Sequence, residues 1–190
     1  MVMLRFFTRQ YQVHRIVVIL VCGLAAYGVV RARTRINQEP KVAVKAAPEL
    51  VGTQWINTTA PITLAGRKGK VTLIDFWTFA CVNCQANLPY YEKWQKEFSP
   101  SGFTIIGIHT PELPEEYKAD AVLRFVQAHG ITYPILLDNK YVNWGRWNQE
   151  YWPALYLVDK KGNVREVWLG ELGSSGATKF RSKIAGLLAE

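Results

Sequence analysis

From about residue 50 onward the apolar positions follow two periods. Val71–Trp77 (V-T-L-I-D-F-W) and Phe103–His109 (F-T-I-I-G-I-H) are short, nearly continuous apolar runs, the pattern of strands buried on both faces. Between them Leu88, Tyr91, Trp94 and Phe98 recur at helical intervals, which predicts a helix over residues 81 to about 98 with a kink at Pro89. A second helix is expected over residues 115–128, with Val122, Phe125 and Val126 inward. A short strand over 133–137 and a short aromatic helix over 142–147 come next. Ala154–Val158 and residues 164–169 flank the turn sequence D-K-K-G-N, a hairpin, and a last helix runs from about 177 to 188. Upstream, residues 54–57 and 62–64 read as short strands and 66–69 as a turn. Strands separated by helices and closed by a hairpin and helix define an α/β protein, a three-layer α/β/α sandwich around a mixed central sheet.

The first 45 residues have a different composition. Of 23 Lys and Arg in the 190-residue chain, eight lie there against one acid, Glu39, so this segment carries most of the formal charge of +8. The remainder is nearly neutral, and nucleic acid is not an expected partner. Arg5, Arg9 and Arg15 precede the apolar run 16–30, and Arg31, Arg33 and Arg35 follow it. Fifteen helical residues at about 1.5 Å each fall short of a membrane core of about 30 Å, but local thinning and snorkelling arginines close the gap. A secretory signal peptide shares this basic-then-apolar pattern. No A-x-A site ends the run, and arginines stand where cleavage would fall, so it is read as an uncleaved anchor. Cys22 lies inside it as an apolar residue. The expected organisation is a basic segment (1–15), a transmembrane or signal-like helix (16–30), a proline-containing linker (31–49) and one globular domain (50–190). Either reading sends the domain across a membrane: periplasmic in a Gram-negative cell, or secreted after signal cleavage. Disulfides persist there.

The candidate chemistry sits where the first buried strand ends, at Cys81-Val82-Asn83-Cys84. Two cysteines separated by two residues at a helix start are within disulfide range, and the helix N-terminal amides stabilise the first thiolate. Zinc needs four ligands; the third cysteine is Cys22, and His109 and His129 lack ligand spacing, so no metal is expected. A structural staple is unnecessary in a chain this apolar. The pair is read as a redox couple that needs no other cofactor. Asp75 is a carboxylate in the middle of an apolar strand, six residues before Cys81. His109 and Glu112 close the next strand, where packing or capping is expected of them.

The order strand, C-x-x-C, helix, strand, helix, strand, proline, hairpin, helix resembles the thioredoxin fold over about residues 50–188. I-D-F-W-T-F-A-C-V-N-C places Asp75 as thioredoxins place theirs, and Y-W-P-A-L-Y-L-V-D places Pro153 where that family has a cis-proline. The inserted G-F-T-I-I-G-I-H-T-P-E, the helix after it and Y-P-I-L-L-D are similar to the TlpA/ResA group, and H-T-P-E with Y-W-P-A-L-Y-L-V-D most resembles its DipZ-like branch. The resemblance implies thiol-disulfide exchange with client proteins: attack by Cys81, resolution by Cys84, and proton transfer by Asp75. It also implies a client surface at Pro153 and Trp152; of the aromatic residues Trp77, Phe79, Trp144, Trp147, Tyr151 and Trp152, Phe79 and Trp152 are expected to be exposed on it and the others to be core. A CcdA or DsbD-type membrane protein would be the electron donor and an apocytochrome c or another extracytoplasmic protein the client. Ala80 replaces the usual Trp, and Val82-Asn83 the usual Gly-Pro. With no His between the cysteines a second cation beside the thiolate is missing, which favours a reductant over an oxidant. Two rival readings use the same residues. Thr78-Phe79-Ala80-Cys81 is the T-x-x-C of a peroxiredoxin-like peroxidase, but Ile74 stands where that family has proline. A copper-binding protein would add His109 to the cysteines.

Overall fold

The computed structural model describes residues 45–190. The expected basic segment, the apolar run 16–30 and the linker as far as residue 44 lie outside the described residues. Among the described residues no helix is long and apolar enough to cross a membrane. The elements run β1 (Lys45–Ala46), β2 (Trp55–Ile56), β3 (Val71–Trp77), α1 (Val82–Phe98), β4 (Phe103–His109), α2 (Ala119–Ala128), β5 (Ile135–Leu137), α3 (Val142–Arg146), β6 (Ala154–Val158), β7 (Asn163–Leu169) and α4 (Gly173–Ala189). The strands form one mixed sheet in the order β1-β7-β6-β3-β4-β5-β2. β3 runs parallel to β4, β4 parallel to β5, and the other pairings are antiparallel.

Alternation along the central strands divides the core. Val71, Leu73 and Trp77 of β3, Phe103 and Ile105 of β4, and Leu155 and Leu157 of β6 pack with Tyr91, Trp94 and Phe98 of α1, Val122 and Val126 of α2, and Phe180 and Ile184 of α4. Ile74, Phe76, Ile106, Ile108 and Val158 face the other way, onto Leu50, Leu64 and Trp147. The helix layer is therefore on one face. The opposite layer is α3, five residues long, together with the irregular chain around residues 47–64, which makes the third layer thinner than the sequence pattern suggests.

Local expectations fail where side chains compete with the backbone. Residues 62–64 form no strand: the Glu49 carboxylate accepts from the backbone N–H groups of Leu64 and Ala65 at 2.6 and 3.0 Å, and a 3-10 turn starts at Ala65. The end of the expected linker is structured too, since Lys45 and Ala46 pair with Val164 and Asn163. The helix expected over 115–128 is broken. Pro114 opens a separate 3-10 turn, Lys118 is extended, and α2 starts only at Ala119. α4 starts earlier than expected, because Gly-Ser-Ser-Gly has no apolar period and is held by packing: a Cβ on Gly176 would lie 2.8 Å from the Trp168 ring.

Gly107, opposite Asp75 in the β3–β4 register, marks the tightest point of the helix-side core. A Cβ there would come within 2.6 Å of Ile135 Cδ1 and 2.8 Å of Trp77 Nε1. Ile135 and the indole are both buried in the same core, so neither yields without disturbing its neighbours. Gly107→Ala is expected to lower the unfolding free energy by about 1–3 kcal/mol through overpacking, measured by urea denaturation.

Candidate active site

β3 delivers the chain to α1 through Thr78, Phe79 and Ala80, and Cys81 is the helix N-cap, with φ −78° and ψ 109°. Its N–H donates to the Thr78 carbonyl at 3.3 Å, which folds this connection into a tight turn. Cys81 and Cys84 are joined by a disulfide with Cα atoms 5.2 Å apart. The Cys84 N–H points at Cys81 Sγ at 3.2 Å, so a first-turn amide of α1 sits where a thiolate on Cys81 would need a donor. Exposure separates the two sulfurs: Cys81 is partly open to solvent, whereas Cys84 is 3% exposed.

Cys84 begins the buried stripe of α1, continued by Asn87, Tyr91, Trp94 and Phe98. Asp75 shares the sheet face of Leu73 and Trp77 and lies under this stripe, 2% exposed. Its Oδ1 accepts from the Tyr91 hydroxyl at 3.2 Å. Burial pushes the Asp75 carboxyl up to about 7, against the opposing pull of the Tyr91 hydrogen bond. Tyr91 and Tyr133 are themselves pushed well up, first by burial and then by the charge of Asp75, and stay protonated. Asn87, which apolar periodicity did not single out, is fully buried and accepts from the Leu172 N–H at 2.9 Å, tying α1 to the start of α4.

The register gathers the remaining candidates at the same end of the sheet. Ala154 pairs with Phe76, so Pro153 stands beside the end of β3 that leads into Cys81; the Trp152–Pro153 peptide bond is cis. Trp152 and Phe79 are half-buried, not exposed as expected. Aromatic partners take their faces: Trp152 lies against Trp144 of α3 with ring centroids 4.2 Å apart, and Phe79 stacks on His109 and Phe125 at 5.8 and 5.6 Å. The exposed apolar residues here are Val82 and Tyr151, at 75% and 57%. His109 is fully buried beside Trp77 and Phe79, and burial lowers it to about 4, so it is neutral at pH 7. Glu112 is exposed, and the acid that organises this loop is Glu116. Glu116 is fully buried, and its carboxylate accepts from the Thr78 hydroxyl and from the N–H groups of Ala80, Glu112 and Leu113. The sequence signal for it was weak: one of three acids in an exposed-looking turn.

A thioredoxin-like α/β fold carrying a C-x-x-C disulfide at the N-terminus of its first long helix defines a thiol-disulfide oxidoreductase. Residues 43–167 match the AhpC/TSA family, and the chain belongs to that family. It is 44% identical over 128 residues to DipZ of Mycobacterium tuberculosis, a match that covers 66% of this chain and 18% of that protein. The thiol-disulfide oxidoreductase YkuV of Bacillus subtilis is 28% identical over 145 residues, 75% of this chain and 94% of that one. Among solved structures the thioredoxin-like superfamily protein SPOA0173 superposes with a TM-score of 0.70 at 27% identity, over 77% of this chain and 97% of its own. This chain is thus similar to part of DipZ and to nearly the whole of the smaller proteins. The relatives and the disulfide place it with TlpA/ResA-like members of the thioredoxin superfamily.

The burial of Asp75 has a measurable consequence for stability. The folded state holds this proton up to about pH 7, whereas the unfolded chain loses it near 3.8, so the native state binds more protons between these values. Stability therefore falls as pH rises from about 4 to about 7, and a constant penalty of about 4 kcal/mol remains above. Asp75→Asn removes the charge that has to be buried. It is expected to raise the unfolding free energy of the oxidised domain by up to about that amount at pH 8 and by almost nothing near pH 3, read from denaturation curves at both pH values.

Proposed function

We propose that this chain is a membrane-anchored, extracytoplasmic protein-disulfide reductase. The observation that carries the reading is the asymmetry of the two sulfurs, one at the helix cap and partly open to solvent, the other buried at the head of the helix stripe whose Tyr91 holds the Asp75 carboxyl. In the reduced protein the Cys81 thiolate attacks one sulfur of a client disulfide, forming a Cys81–client bond and releasing the other client sulfur as a thiolate that takes up a proton. Cys84 then attacks Cys81 Sγ, and Asp75, titrating near neutrality, accepts the Cys84 proton. The client leaves with both sulfurs reduced, and the two electrons come from the Cys81–Cys84 dithiol. A CcdA or DsbD-type membrane donor would restore that dithiol. Trp152 and Phe79, both half-buried, would meet an extended client segment, as would the exposed Val82 and Tyr151, while Pro153, expected on that surface, is buried and shapes the loop beneath it. The absence of a cation between the cysteines supports the reductive direction.

Two experiments test this reading. Cys84→Ser keeps the attacking thiol and removes the resolving one, so mixed disulfides with clients are expected to accumulate through Cys81, whereas Cys81→Ser traps little; non-reducing electrophoresis reads both. Equal yields from the two variants would reverse or abolish the assigned roles. For location, the protein is expected to stay in the membrane fraction through alkaline carbonate washing, with its domain cut by protease added to spheroplasts. A shortened, soluble product points to signal cleavage, and a protected domain defeats the extracytoplasmic reading.

A further inference from the structure

Glu116 is the one acid fully buried in the turn that follows β4, and neither the redox pair nor the client surface uses it. Its carboxylate has four donors on two segments. Oε1 takes the Thr78 hydroxyl and, at 2.8 Å, the Ala80 N–H, both in the three-residue connection between β3 and Cys81. Oε2 takes the Glu112 and Leu113 N–H groups at 2.8 and 2.9 Å, in its own turn. Burial opposes ionisation, but these hydrogen bonds outweigh it and hold the carboxyl below its ordinary range, so it is an anion at neutral pH. Among the described residues no cation forms an ion pair with it. Lys118 is engaged with Glu115 at 2.6 Å on the exposed side of the turn. His109, facing it from the end of β4, is held neutral by burial, and the Tyr141 hydroxyl donates to the Pro111 carbonyl. Glu112 is exposed, and Asp75 lies deeper, under α1.

We infer that Glu116 is a positioning and charge-tuning residue for Cys81: it clamps the connection that sets the N-cap, and its fixed negative charge, hydrogen-bonded to the residue before Cys81 and shielded from water, disfavours the Cys81 thiolate. The helix amides and Glu116 therefore pull in opposite directions on the same sulfur. Donors lower the cost of the thiolate, and the buried carboxylate raises it. Wherever thiolate is populated, the dithiol is the less stable form and gives up its electrons more readily, the reverse of the arrangement that makes a strong oxidant. This deepens the reductive reading above and rests on it for its biological sense.

The test is a thiolate titration of the full chain by ultraviolet absorbance in a Cys22→Ser, Cys84→Ser background, where Cys81 is the remaining thiol. It does not depend on whether clients are trapped. Glu116→Gln keeps the shape and removes the charge, and is expected to raise the thiolate fraction of Cys81 about tenfold at a pH below its midpoint, one unit on the pH axis. Thr78→Val removes one donor from the clamp without changing charge; it is expected to cost stability and leave the thiolate fraction within about twofold. In the reduced, unsubstituted protein the ¹³C carboxyl resonance of Glu116 is expected to move with the Cys81 midpoint, an observation that needs no substitution at all. An unchanged or smaller thiolate fraction in Glu116→Gln would overturn the proposal. So would an equal shift in Thr78→Val, which would make the effect one of loop geometry, and so would a Glu116 resonance indifferent to Cys81.

Discussion

Strand β3 has a strand on each edge and a layer on each face, so none of its seven residues reaches water. Into that position the chain puts a carboxylate, Asp75, and ends the strand three residues short of Cys81. The two facts are linked. A strand locked from four sides both holds an ionisable group away from water and fixes, to within one helical turn, where the next helix starts. β3 pairs with β4 from Val71↔Phe103 to Trp77↔His109 and with β6 from Thr72↔Val158 to Phe76↔Ala154. Each pairing carries one part of the site to the same end of the sheet: the cysteines after β3, His109 and the Glu116 turn after β4, and Pro153 before β6.

Around this end the polar groups are sorted by what surrounds them. Asp75 has a single hydrogen-bond donor and a helix packed over it, and it is pushed towards neutrality; Glu116 has four donors and is held as an anion. Burial alone does not set ionisation, since both carboxylates are inaccessible to water. What differs is the number of N–H and O–H groups turned towards each. Asp75 is thereby suited to exchanging a proton near neutral pH, and Glu116 to staying charged while it shapes the loop. His109, enclosed by Trp77 and Phe79, is the third case: an imidazole kept neutral because its charge would have no water around it.

The aromatic residues show how tertiary packing revises a surface read from sequence. Phe79 and Trp152 flank the cysteines, and both spend one face on a neighbour. The solvent-facing apolar area passes instead to Val82, between the cysteines, and to Tyr151. A client would meet these first.

The sequence by itself determined the central strands, the long helix and the cysteine pair at its start, because these rest on local period and on a motif of fixed spacing: Val71–Trp77, Phe103–His109, Ala154–Val158 and the Cys81–Cys84 pair are all legible one segment at a time. Asp75 stood out for the same reason, a lone charge in an apolar run. Glu116, Asn87 and Glu49 did not. Each is an ordinary polar residue until the fold brings amides from a distant segment to it: Ala80 to Glu116, Leu172 to Asn87, Leu64 and Ala65 to Glu49. The Glu49 contacts also undid the predicted strand at 62–64, whereas the late start of the second helix follows from Pro114 and the extended Lys118. Hydrogen bonds between residues far apart in sequence leave no periodicity behind, so only the tertiary structure decided where those charges sit and what they hold.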